Sequence, residues 1–163
     1  MEDQLITFET AKLAKEKGFD IHTLDYYFED GEFRRNELTG TNGYYGEEYS
    51  FSYEEFLENW NDKFVTKKNG DRCLGCDKSK NYFETYSAPT QSLLQRWLRK
   101  KHNIHICNNL HYMVNGGIAG YLVDISSPYD LFKSILVEGQ SYEQALEKGL
   151  QEALKLINNE KTY

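Results

Sequence analysis

The feature that most constrains this chain is the amphipathic stretch that follows Pro89. Leu93, Leu94, Trp97 and Leu98 recur at the spacing of one helical face. Such a stripe must be buried against another element to hold a helix together in water. Pro89 is tolerated in a first turn, so the helix is predicted to begin near Ser87 or Thr90 and to run to about Lys101. Arg96, Arg99, Lys100 and Lys101 gather at its C-terminal end, where positive charge suits the helix dipole.

A second helix of the same kind follows downstream. Ser141-Tyr142-Glu143-Gln144 fits a capping box, and Ala145, Leu146, Leu150, Ala153, Leu154 and Ile157 mark a buried face running to about Ile157. Strand signals lie between the two helices. Ile104 and Ile106 alternate with polar neighbours, Met113 to Gly117 approaches a turn, and Tyr121–Ile125 and Ile135–Val137 read as further strands. The order helix, three strands, helix predicts an α+β fold: a small antiparallel sheet of about three strands with helices packed on it, forming a compact unit over 87–158.

Upstream, Thr7 is a plausible N-cap for a helix carrying Phe8, Ala11 and Ala14, and Gly18 with Phe19 supplies its end. Residues 20–50 mix glycines with Asp, Asn and aromatics and read as short strands or ordered loops. Ser52-Tyr53-Glu54-Glu55 fits another capping box, with Phe56 and Trp60 on one face of a short helix. Residues 66–81 read as an exposed loop. Only Pro89 and Pro128 occur in 163 residues, so no rigid linker divides the chain. One domain over 1–163 is expected, with a loop-rich acidic aromatic segment at 20–64.

Charge is distributed unevenly around a net −7. Between Asp20 and Asp62, twelve acidic residues face only Arg34 and Arg35, giving −10. Between Lys63 and His105, ten basic residues face three acidic ones, giving +7. Such asymmetry marks either an interaction surface or two solvated faces of one molecule. The acidic stretch also holds an aromatic cluster, which includes Tyr44, Tyr45 and Tyr49 beside Glu47 and Glu48. Tyrosines set among Gly, Asn and carboxylates suit a protein-docking surface, and equally suit the cover of a thin core. The basic helix end is the nucleic-acid candidate, with Tyr82, Phe83 and Tyr86 before it as stacking groups; the same charges also simply complete the helix dipole. An overall pI of about 5.1 is far from that of a dedicated nucleic-acid binder.

For chemistry, Cys73-Leu74-Gly75-Cys76 has the spacing of half a zinc knuckle. Cys107, His102, His105 and His111 are further ligand types, and His105 and Cys107 share one strand face. The other reading of Cys73 and Cys76 is a surface loop with two thiols, and no metal or cofactor is assigned. No nucleophile elbow, His-Glu-x-x-His, P-loop or dinucleotide fingerprint occurs, so a non-enzymatic role is expected. No apolar run approaches the length of a membrane span, the N-terminus reads as free of a secretory signal, and three cysteines do not suggest an oxidising compartment. A cytoplasmic protein without a membrane partner is expected.

Two segments, Tyr86 to Arg99 and Ser141 to Ile157, resemble those of an uncharacterised family of small phage- and prophage-associated proteins of gut anaerobes. The resemblance implies a mobile-element context and no particular activity. The helix–three-strand–helix order also matches double-stranded-RNA-binding domains. These place lysines where this chain has Tyr142, Glu143 and Gln144, with Glu147 one turn later. Gly139 to Leu154 is similar to the strand-to-helix junction of HicB-type antitoxins. The expected role is a phage- or mobile-element-associated accessory protein acting by protein–protein interaction through its acidic Tyr-rich surface. The alternative is a nucleic-acid-binding regulator or antitoxin-like module using the basic helix over 96–102.

Overall fold

A computed structural model describes residues 3–35, 61, 64–65, 72–73, 83–127, 133–138 and 141–157. In chain order the elements are α1 (Phe8–Glu16), β1 (Asp25–Phe28), β2 (Phe33–Arg35), β3 (Phe64–Val65), β4 (Arg72–Cys73), β5 (Phe83–Ser87), α2 (Gln91–His102), β6 (His105–Tyr112), β7 (Ile118–Ser126), β8 (Lys133–Glu138) and α3 (Tyr142–Leu156). The fold is α+β. The chain forms two compact units, Met1–Phe19 with Thr90–Tyr163, and Asp20–Pro89.

In the first unit, each helix begins and ends as its local chemistry requires. Thr7 caps α1 by accepting from the Thr10 amide. Its C-terminus is a Schellman closure: the Gly18 amide donates to the Lys15 carbonyl at 3.0 Å and the Phe19 amide to the Ala14 carbonyl at 2.9 Å. Gly18 has φ +76° there, a conformation that costs a side-chain-bearing residue strain. Phe19, the apolar clasp, is buried edge-on against Trp97 with ring centroids 5.4 Å apart. Thr90 caps α2, which ends on left-handed Asn103. The capping box of Ser141 and Gln144 opens α3 with both reciprocal hydrogen bonds formed.

Strands β6, β7 and β8 form an antiparallel meander in that spatial order. Ile106, Val123, Ile125 and Val137 are buried on the face that meets α3, while α2 packs on α3 and on β6, and α1 on α3. The approach of α3 to the sheet is close. A Cβ on Gly149 would lie 2.6 Å from Val123 Cγ1 and 3.3 Å from Ile106 Cγ2.

The second unit holds more order than its sequence suggests. Where loops and short strands are expected, the structure has a five-stranded antiparallel sheet in the order β2-β1-β5-β3-β4. The central strand, β5, is five residues long, and β3 and β4 are two residues each. Strands that short leave no periodicity to read. Tyr26 and Phe28 are buried with Phe83 packed against them. Arg35 makes a two-pronged ion pair with its cross-strand neighbour Asp25, at 2.8 and 3.2 Å. The short helix expected after Ser52 lies outside the described residues.

Candidate functional site

The β6–β7 hairpin is closed by local chemistry. The Met113 amide donates to the Gly117 carbonyl at 2.7 Å, the Gly116 amide donates to the Met113 carbonyl at 2.9 Å, and Gly116 takes φ +85°. The Asn115 side chain accepts from the Gly117 amide at 3.1 Å. The ladder slips between His111 and Tyr112: His111 pairs with Gly120 and Tyr112 with Ile118, leaving Ala119 as an inserted residue.

Helix α3 starts partway along this hairpin. Asn108 Nδ2 donates to the Tyr142 carbonyl at 2.9 Å, and the Tyr121 and Tyr142 rings meet edge-on at 6.0 Å. Beyond that point no element among the described residues covers the hairpin. Leu110, Tyr112, Met113, Val114 and Ile118 are all exposed, with Tyr112 at 57% and Ile118 at 61%. These five fall within nine consecutive residues, whereas exposed apolar side chains on a soluble surface are normally scattered singly.

The other face of the same sheet carries polar groups together with Leu122 and the exposed Leu136. Asp124 accepts from Ser134 Oγ at 2.6 Å and from Asn109 Nδ2 at 3.3 Å. Cys107 stands opposite Asp124 in register, and His105 and His111 lie along the same strand face, all three exposed. The shared face expected of His105 and Cys107 is therefore present. Among the described residues, no three His, Cys, Asp or Glu side chains form a set able to hold a metal ion.

Of the residues singled out by sequence, Arg96, Arg99, Lys100 and Lys101 are all exposed near the end of α2. Lys101 turns toward its own fold, with Nζ 5.6 Å from the Trp97 ring centre and 3.4 Å from the Gly18 carbonyl. Cys73 pairs with Phe64 in the short β3–β4 ladder. Cys76, Tyr44, Tyr45, Glu47, Glu48 and Tyr49 lie outside the described residues. His102 packs against Trp97 at 4.6 Å between ring centres.

Glu147 is not where its sequence position suggests. It stands one turn after the positions where double-stranded-RNA-binding domains carry lysines, yet it is buried among all three helices. Its Oε1 accepts from the Thr7 amide and hydroxyl, both at 2.8 Å, and from the Thr10 hydroxyl, while Oε2 accepts from Gln91 Nε2 at 2.9 Å. Gln151 closes the network by donating to Thr10 Oγ1 at 2.9 Å. Each polar group is satisfied, so the cluster ties the starts of α1 and α2 to the body of α3. One turn further along α3, Glu152 is held below the ordinary carboxylate range by hydrogen bonds first from Lys133 of β8 and then from Lys155.

Sequence reasoning missed the uncovered hairpin, although a signal for it exists. Between Lys101 and Asp124 no Asp, Glu, Lys or Arg occurs, in a chain in which 28% of residues are charged. Compared with known proteins, the chain matches no family model, no curated protein and no solved structure.

Proposed function

We propose that this chain is a non-enzymatic accessory protein, of phage or mobile-element context, that works by binding another protein. The observation that carries the reading is the exposed apolar end of the β6–β7 hairpin, where Tyr112, Met113, Val114 and Ile118 stand free of α3. Leaving such groups in water costs about 25 cal/mol per Å² that a docked partner would recover. The acidic Tyr-rich stretch around Tyr44, Tyr45, Glu47, Glu48 and Tyr49 is a second proposed docking surface, motivated by its composition.

The test is capture of partners from the native host lysate by tagged protein, with and without nuclease. Three variants are compared with wild type: Met113→Glu with Val114→Glu, charge reversal at Glu47 and Glu48, and Arg96→Glu with Arg99→Glu. Protein partners that survive nuclease and disappear with the hairpin variant are expected. Capture untouched by the hairpin variant would sink the hairpin as the docking surface.

A second reading rests on Arg96, Arg99 and Lys100, which are exposed at one helix end and make no ion pair among the described residues. That arrangement suits contact with a nucleic-acid backbone. It requires capture that vanishes with nuclease, is lost in the Arg96→Glu with Arg99→Glu variant and weakens steeply with salt.

A further inference from the structure

We infer that the free edge of β6 is a homodimer interface, in which two copies pair β6 to β6 about a two-fold axis at Leu110 and join their sheets. The inference rests on reading this hairpin as a protein-binding surface, and it names the partner at its edge.

The direction of the backbone groups comes first. Gln95 Nε2 donates to the Ile106 carbonyl at 2.8 Å, so that carbonyl faces away from β7. Outward and inward residues alternate along an antiparallel strand, which places the amides and carbonyls of Asn108, Leu110 and Tyr112 on the same outer edge. β6 is a terminal strand of its sheet, and among the described residues no other segment bonds to those outward groups. The free window has limits at both ends. Gln95 occupies the edge at Ile106, and the turn begins at Met113. What remains is Asn108 to Tyr112, and its midpoint is Leu110.

The chemistry of the edge selects a copy of itself. Exposed edge strands are normally protected by lysine, proline or inward charges. β8, at the opposite side of the sheet, carries Lys133 and Glu138 at its ends. β6, His-Ile-Cys-Asn-Asn-Leu-His-Tyr, has no Asp, Glu, Lys, Arg or Pro, so two copies meet without like charges on a chain of net charge −7. Pairing about Leu110 sets Leu110 opposite Leu110 of the second copy and Asn108 opposite its Tyr112, each pair exchanging two backbone hydrogen bonds. Leu110 at 45% and Tyr112 at 57% exposure gain cross-strand neighbours.

The decisive experiment is sedimentation equilibrium of the purified full chain and of two variants, Leu110→Lys and Leu110→Glu, alone and mixed. A wild-type dimer is expected. Each variant alone should dissociate at least about tenfold more readily, because the two-fold sets like charges face to face. The equimolar mixture should regain the dimer, because opposite charges then meet. Recovery on mixing also establishes that both variants are folded. A monomeric wild type overturns the inference while leaving the hairpin's capture of other proteins to be judged by the lysate experiment. A dimer unaffected by either variant, or variants that stay monomeric when mixed, also overturns it.

Discussion

At the residue scale, the most informative side chain is Glu147. It is a buried carboxylate with no cationic partner among the described residues, held instead by two threonines and a glutamine. Such an arrangement is stable only while every donor finds its acceptor, because an orphaned buried donor costs about 1–3 kcal/mol. Glu147→Ala is therefore expected to lower unfolding free energy by about 2–3 kcal/mol, and Glu147→Gln by about half as much, since the amide keeps one acceptor. Urea denaturation followed by circular dichroism measures both. A loss below about 0.5 kcal/mol for the alanine variant would show that Thr7, Thr10 and Gln91 find other partners. None of this is visible in sequence: Glu147 occupies a position that reads as a helix surface, and it is buried only because α1 and the start of α2 arrive there from more than fifty residues away.

At the element scale, α3 is the organising piece of the first unit. Its capping box, its apolar stripe and its end near Ile157 were all readable, because each depends on neighbours within one or two turns. Its closeness to the sheet was not. Gly149 lets the helix lie where a Cβ would press on the branched side chains of Val123 and Ile106. Alanine is the better helix former by about 1 kcal/mol, yet overpacking a core costs about 1–3 kcal/mol. Gly149→Ala should then destabilise the protein on balance, read as a lower melting temperature. A rise would mean that the sheet yields at no cost. The same scale accounts for the hairpin, whose turn was legible from Asn115-Gly116-Gly117, while its lack of cover follows from α3 beginning over Asn108 and Tyr121.

At the scale of the whole molecule, electrostatics set the response to acid. Glu152 braces α3 to β8 through Lys133 and is held below its ordinary value of 4.5 by the two lysines. A carboxylate with a lowered folded-state pKa adds stability that is present above the unfolded value and is lost as pH falls through the folded one. The melting temperatures of wild type and Glu152→Gln should therefore differ near neutral pH and converge as pH falls through the lowered folded-state value. A gap that persists undiminished into strong acid would show that the brace acts through packing and not charge. No helix among the described residues is long and apolar enough to cross a membrane.

The sequence by itself determined the pieces whose cause is local. The caps at Thr7 and Ser141, the left-handed end at Gly18, the turn at Met113 to Gly117 and the three strands of the meander all follow from short-range sterics, hydrogen bonding and periodicity, whereas of the two starts left open for α2 the structure takes Thr90 and places Ser87 in β5. Together they give the α+β class, with a three-stranded sheet under capped helices. The tertiary structure alone decided what depends on distant segments meeting: the five-stranded sheet built around β5, the burial of Glu147, the close seat of Gly149, and the terminal place of β6 in its sheet. Burial, close approach and exposure are properties of pairs of elements, and one-dimensional periodicity carries the face of an element but not the extent of what covers it.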